Sequence, residues 1–144
     1  MEGIMKPEPV AGEGRGELQR DLEALVPGGV YRDVPLSRVS RWRVGGPARL
    51  VVAPGTISQV QRVMAYVSSR GLPYVVLGSS TNLLFADEGL EVLAIHIGAR
   101  LGGFRVEGTR VWSEAGIWVP AFARQLARAG LSGAEHTCGI PGTL

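Results

Sequence analysis

The segment RLVVAPGTISQVQRVMAYVSSRGLPYVVLGSSTN, residues 49–82, determines the architecture, because two apolar runs flank a helical pattern. The β-branched run at 49–53 predicts one buried strand, and the run at 73–77 predicts another. Thr56 and Gln59 have the spacing of a capping box, which predicts a helix between the strands. Gly71 is placed to end that helix. Its apolar residues repeat at the spacing of one helical face: Val60, Val63, Met64 and Val67.

A strand, a crossover helix and a second strand form a βαβ unit, whose strands are expected to be parallel with a right-handed connection. The loop that leaves the second strand then lies at a carboxyl edge, where open α/β sheets bind ligands. That loop, GSSTN at 78–82, offers backbone N–H groups and small hydroxyls that can share the charge of a pyrophosphate. Taken alone, such a loop is more often a turn. Its place after a βαβ unit favours the ligand interpretation.

Shorter patterns surround this unit. Residues 92–97 read as a strand, and 104–106 with 110–113 read as a hairpin. Pro120 opens a last helix that ends at Gly130. These patterns predict an α+β fold with a flexible tail at 1–16, a helix and linker at 17–35, a first subdomain at 36–98 that contains the βαβ unit, and the start of a second, incomplete subdomain at 99–144.

The composition excludes several functional classes. Of the 144 residues, 45% are hydrophobic and 19% are charged, which is typical of a globular domain. The net charge of +2 comes with no basic tract, so no nucleic-acid partner is expected. One cysteine and two histidines cannot build a zinc site of ordinary ligand count, so no metal is expected. No apolar stretch reaches the roughly 18 residues of a membrane span, and no signal peptide is evident, so a cytoplasmic location is expected.

Two other glycine-bounded segments accompany the loop: VGGPA at 44–48 and GIPGT at 139–143. Pro141 fixes one backbone angle of the second segment, and its glycines leave free donors. Arg43, beside the first segment, is able to reach a phosphate or a carboxylate. For a single arginine, a solvated surface role is the commoner one.

Together these segments resemble the UDP-N-acetylenolpyruvoylglucosamine reductase (MurB) family. Its order and approximate spacing are matched by SRWRVGGPA at 40–48, VLGSSTNLL at 76–84, EAG at 114–116, and GAEH at 133–136 running into GIPGT at 139–143. The resemblance spans about residues 36–144. The wider superfamily has the p-cresol methylhydroxylase-type FAD-binding fold, which vanillyl-alcohol-type oxidases share. The asparagine and two leucines at 82–84, combined with the GIPGT turn, point to the reductase branch.

The resemblance implies that FAD lies extended between two α+β subdomains, with its pyrophosphate held by the loop at 78–82 and the turn at 139–143. The loop has two serines and a threonine at 79–81 where the family more commonly has Gly-Gly-Ser, which affects donor geometry more than cofactor identity. The implied cofactor-binding residues are Gly78, Ser79, Ser80, Thr81, Asn82, Leu83, Ala115, Gly116, Gly139, Ile140, Pro141, Gly142 and Thr143.

In that family NADPH reduces the flavin, which delivers hydride to the enolpyruvyl double bond of a UDP-sugar, while a side-chain acid supplies a proton. The family's catalytic arginine, serine and glutamate belong to segments beyond the GIPGT turn, so the resemblance implies a truncated fold with no catalytic residue in this chain. We therefore expect the FAD-binding part of a reductase of peptidoglycan precursor synthesis, inactive by itself. The alternatives are an FAD-linked oxidase of the same superfamily, and a non-catalytic flavin-binding module that self-associates or uses a partner to complete its fold.

Overall fold

The computed structural model describes residues 14–144, so the tail predicted at 1–16 lies almost entirely outside the described residues. The first helix begins at Arg15, which is inside the segment predicted as tail. The elements, in chain order, are α1 Arg15–Leu25, β1 Val30–Pro35, α2 Leu36–Val39, β2 Pro47–Val52, α3 Ile57–Ser69, β3 Tyr74–Leu77, β4 Leu90–His96, β5 Phe104–Glu107, β6 Arg110–Ser113 and α4 Val119–Arg128. Two short 3₁₀ turns complete them, Ala99–Leu101 and Glu135–Gly139.

The main sheet has four strands in the order β1-β2-β4-β3. Strands β2 and β3 both pair in parallel with β4, so the predicted parallel direction of the βαβ strands is confirmed. They are not neighbours, however, because β4 lies between them. Strand β4 has four consecutive buried residues, Val92, Leu93, Ala94 and Ile95, which suits a central strand that is covered on both faces.

Helix α3 begins as predicted, at the cap formed by Thr56. The Thr56 hydroxyl oxygen accepts a hydrogen bond from the backbone N–H of Gln59 at 3.1 Å. The Gln59 side chain in turn accepts from the N–H of Gly55 at 2.7 Å, one residue before the cap. The first bond satisfies a donor that a bare helix start would leave without an acceptor, and the second ties the preceding residue to the same turn.

One face of the main sheet packs against α1 and α3 and forms the larger core. Leu22, Val52 and Val63 are completely buried there, and Ile95 is 1% exposed. Burying a side chain of this size contributes about 1.5–3 kcal/mol. The α1 and α3 helices are therefore held on the sheet mainly by their apolar faces.

The opposite face carries a smaller core beneath α2. Leu36, at the start of α2, is completely buried together with Val51, Leu77 and Ala94. The backbone N–H of Leu36 donates to the carbonyl of Gly46 at 3.0 Å, so the segment after α2 returns to the start of β2. This anchoring fixes residues 37–45 beside the loop that follows β3.

The predicted hairpin and last helix form a second, smaller unit. Strands β5 and β6 pair in antiparallel fashion across a turn at 107–110, and the rings of Phe104 and Phe122 pack edge to face at 5.9 Å. Pro120 occupies the first turn of α4, as predicted. The mixture of a mainly parallel sheet, an antiparallel hairpin and helices confirms the predicted α+β class.

Strand β1 lies within the segment that the sequence predicted as helix and linker. It pairs with β2 at the edge of the main sheet, and four of its six residues are exposed. Asp33 interrupts it with a φ of 46°, in the left-handed region. The strand therefore lacks the regular alternation of buried and exposed residues by which a strand is predicted from sequence.

Candidate functional site

The loop at 78–82 and the turn at 139–143 meet in the structure. The backbone N–H of Ser79 donates to the Oγ1 of Thr143 at 3.4 Å. The hydroxyl of Thr81 donates to the carbonyl of Pro141 at 3.1 Å, across 60 residues of sequence. The two segments that the sequence predicted as cofactor-binding thus form one junction, which we call the loop–turn junction.

The loop needs glycine at its first position, because the turn approaches it closely. A Cβ at Gly78 would lie 2.5 Å from the Oγ1 of Thr143, well inside a van der Waals contact. Ser80 is buried and has a φ of 50°, and its hydroxyl donates to the carbonyl of Gly78 at 3.4 Å. A left-handed residue within a turn lets successive N–H groups point toward one concave surface.

Several backbone donors at this junction remain available. Among the described residues, the N–H groups of Ser80, Thr81 and Asn82 donate no hydrogen bond, and neither do those of Gly142 and Thr143. Backbone N–H groups that converge without an acceptor form an anion-binding concavity. The junction therefore offers unpaired backbone donors to an anion.

The turn is fixed to the start of α4. The carbonyl of Gly142 accepts from the N–H of Val119 at 2.9 Å, and the N–H of Leu144 donates to the carbonyl of Ile117 at 3.1 Å. These two bonds flank a bridge between Trp118 and Thr143. Gly142 has a φ of 153°, which a residue with a side chain rarely adopts. The glycine at this point of the GIPGT turn is therefore a backbone requirement.

The remaining predicted residues take different positions. Leu83 packs against the smaller core and anchors the end of the loop, while Asn82 and Ile140 are exposed. Gly116 does not join the loop–turn junction. Its N–H donates to the carbonyl of Leu101 at 2.7 Å, and a Cβ there would collide with the carbonyl of Gly98. Gly116 thus connects the hairpin unit to the end of β4, and Ala115 beside it is exposed.

A cleft of about 780 Å³ opens beside the loop. One wall is α2 and the residues that follow it, and the other includes Ser79 and Trp118. The guanidinium of Arg41 lies 4.5 Å from the centre of the Trp118 ring. Of these residues, only Ser79 was assigned to a site from the sequence, because exposed arginines and a lone tryptophan carry no local pattern. The position of the others depends on how α2 packs on the sheet.

The cleft is lined by serine hydroxyls, arginine guanidinium groups and the Trp118 ring. The residues that line it include no carboxylate, histidine or cysteine. Within residues 14–144, no group of three or more His, Cys, Asp or Glu side chains is arranged to hold a metal ion. His96 lies at the end of β4, outside the cleft lining, and partial burial lowers its pKa. Over the same residues, no helix has the length and apolarity to cross a bilayer.

Comparison with known proteins shows the family of this chain. The sequence profile of the family described as FAD binding domain matches residues 48–144. UDP-N-acetylenolpyruvoylglucosamine reductase 1 of Corynebacterium glutamicum is 39% identical over 112 residues, which are 78% of this chain and 33% of that protein. The crystal structure of UDP-N-acetylenolpyruvylglucosamine reductase (MurB) from Thermus caldophilus has a TM-score of 0.60 at 32% identity, covering 78% of this chain and 38% of that one.

A third comparison shows the fold alone. The 4-ethylphenol oxidase of Gulosibacter chungangensis, as its isoeugenol complex, has a TM-score of 0.66 at 16% identity, covering 86% of this chain and 26% of the oxidase. The predicted p-cresol methylhydroxylase-type fold is thereby confirmed. The chain spans about a third of the length of the reductases it matches. With more than half of its residues matched by the family profile, the chain belongs to the FAD-binding domain family and has UDP-N-acetylenolpyruvoylglucosamine reductases among its homologues.

Proposed function

We propose that this chain is the FAD-binding portion of a UDP-N-acetylenolpyruvoylglucosamine reductase, also called UDP-N-acetylmuramate dehydrogenase. The observation that carries the proposal is the loop–turn junction, where two segments distant in sequence meet and leave backbone donors free. The reductases named above support the assignment to this branch, since the oxidase is similar in fold only.

The residues present fit FAD. The unpaired N–H groups of Ser80, Thr81 and Asn82, together with those of Gly142 and Thr143, would hold its pyrophosphate. Of the other predicted residues, Gly78 allows the turn to approach the loop and Leu83 holds the loop. The remaining ones, Ser79, Ala115, Gly116, Gly139, Ile140 and Pro141, would contribute to the rest of the cofactor site. When bound, FAD supplies hydride transfer, and the chain's own residues bind and orient it.

In the full-length reductase we expect NADPH to be the hydride donor and a UDP-sugar with an enolpyruvyl group to be the substrate, in peptidoglycan precursor synthesis in the cytoplasm. Residues 36–98 and 99–144 correspond to the first FAD-binding subdomain and to the start of the second. The residues that line the cleft include no carboxylic acid, and the family resemblance assigns no residue of this chain to the protonation of the substrate carbon. We therefore expect this chain alone to bind FAD without turnover.

The proposal is tested by titrating the 144-residue chain with FAD and with FMN, which lacks the pyrophosphate. Thr81→Val removes the hydroxyl bond to Pro141, and Ser69→Ala is the matched control, because Ser69 makes an equivalent hydroxyl bond to the carbonyl of Tyr66 at 2.9 Å. A hydrogen bond of this kind contributes about 1 kcal/mol, so Thr81→Val should weaken FAD binding about fivefold and Ser69→Ala should not. Equal binding of FAD and FMN by the unmodified chain would contradict the pyrophosphate assignment.

Turnover is measured separately, as NADPH oxidation by the chain in the presence of FAD and the UDP-N-acetylenolpyruvoylglucosamine substrate. The expected result is no oxidation above that of free FAD. Substrate-dependent oxidation would show that the chain contains a proton donor that the cleft does not reveal.

A further inference from the structure

We propose that Arg38, Arg41 and Arg43 form a cationic wall of the cleft that binds a phosphate or pyrophosphate group. The three arginines lie within six residues of sequence, and all of them line the same cavity as Ser79 of the loop. The inference rests on the proposed function only for the identity of the ligand that carries the phosphate, since the charge and the cavity are properties of the chain itself.

The wall is held in place by its backbone. Leu36 is completely buried and Ser40 is 5% exposed, so the segment between them is pinned to the sheet. The Oγ of Ser40 accepts from the N–H of Trp42 at 3.1 Å, and its carbonyl accepts from the N–H of Arg43 at 3.2 Å. Arg43 has a φ of 55°, a conformation that costs a residue with a side chain some energy and is enriched where ligands are held.

The three arginines of this wall form no ion pair with a described carboxylate, whereas other arginines of the chain do. Arg49 pairs with Asp33 and Glu91, and Arg70 pairs with Glu17 and Asp21. In the part of the chain that the structure describes, none of the three cleft arginines has a carboxylate within ion-pair distance; the guanidinium of Arg41 stacks on Trp118. Like charges around one cavity repel each other until an anion enters.

The chemistry of the wall favours phosphate over a carboxylate metabolite. Guanidinium groups bind both carboxylate and phosphate oxygens in bidentate fashion and remain charged at every physiological pH. Three of them around one cavity suit the multiple negative charge of a phosphate or pyrophosphate better than the single charge of a carboxylate. A cavity of about 780 Å³ is also in the range of nucleotide-sized ligands. Two sources have this chemistry, namely the pyrophosphate of FAD and the phosphate of a second nucleotide, such as the UDP-sugar.

The test uses inorganic pyrophosphate, UDP and FAD as probes on the 144-residue chain, with tryptophan fluorescence and calorimetry as readouts. The triple variant Arg38→Gln, Arg41→Gln, Arg43→Gln should lose at least tenfold in pyrophosphate affinity, and the unmodified chain should bind more weakly as salt is raised. Arg62→Gln is the matched control, because Arg62 is an exposed arginine on α3 outside the cleft. A parallel loss of FAD affinity assigns the wall to the cofactor. A loss for pyrophosphate and UDP alone assigns it to a second nucleotide.

Arg43→Gly separates binding from folding. Glycine tolerates a φ of 55°, so this variant should be at least as stable to urea as the unmodified chain while binding pyrophosphate more weakly. Pyrophosphate affinity that is unchanged in the triple variant, or lowered equally by Arg62→Gln, overturns the inference. If the chain binds pyrophosphate through these arginines but does not bind FAD, the proposed function is refuted and the inference about the cationic wall is still supported.

Discussion

Replacing Gly78 with alanine should disrupt the loop–turn junction through a single atom. The new Cβ would lie 2.5 Å from the Oγ1 of Thr143, about 1 Å inside an ordinary contact. Because threonine is stiff at χ1, the turn has to move and the bond from the N–H of Ser79 is lost. A hydrogen bond of this kind contributes about 1 kcal/mol, so Gly78→Ala should lower the free energy of unfolding in urea by about that amount. FAD affinity should fall about fivefold.

A double-mutant cycle with Thr143→Ala tests this cause directly. Without the Oγ1, the nearest atom to the new Cβ is the Cβ of residue 143 at 3.9 Å, which is an ordinary contact. In the Thr143→Ala background, Gly78→Ala should therefore cost almost nothing, and the two effects should be strongly non-additive. Gly16→Ala is the control, because no atom lies within 4 Å of its added Cβ. Additive losses in the cycle would refute the steric reasoning.

Three further predictions concern the core and the titrating groups. Leu22→Ala should lower the free energy of unfolding by about 2–5 kcal/mol in urea, because Leu22 is completely buried; a loss below 1 kcal/mol would show that α1 is not part of the core. Burial and the hydrogen bond to Asp21 at 2.7 Å raise the pKa of Tyr66 to about 12, so the stability from this phenol is complete below pH 10 and lost as the pH passes 12. Ultraviolet titration should show one phenolate midpoint near 12 that Tyr66→Phe removes. Burial lowers the pKa of His96 below 6.5, so the folded state loses stability as the pH falls below 6.5, and His96→Gln should flatten that loss in urea unfolding measured from pH 7 to 5.

Local patterns in the sequence predicted the elements whose signals are complete within a few residues. The capping pair Thr56 and Gln59 located the start of α3, and Pro120 located the start of α4. The same reasoning found the strands on either side of α3, because their apolar runs are continuous. Recognition of the loop and the turn as one site came from the family resemblance, since no local rule states that residues 60 apart will touch.

Other features depend on tertiary structure and could not be predicted. Strand β4 pairs between β2 and β3, and the apolar runs of the sequence do not determine which strands become neighbours in the sheet. Strand β1 is a short edge strand, and Asp33 interrupts it with a backbone conformation in the left-handed region. The alternation of buried and exposed residues that would predict a strand is therefore missing. The arginine wall resembles ordinary surface charge in the sequence. The burial of Leu36 packs α2 on one face of the sheet, beside the cavity that those side chains line.

Amide hydrogen exchange of the chain, with and without FAD, tests the loop–turn junction most directly. Five backbone N–H groups, those of Ser80, Thr81, Asn82, Gly142 and Thr143, have no acceptor in the described part of the protein and should exchange rapidly. We expect FAD to slow the exchange of these amides together and riboflavin, which has no phosphate, to leave them unchanged. FAD binding that leaves all five amides exchanging rapidly would contradict the account and place the cofactor's pyrophosphate elsewhere.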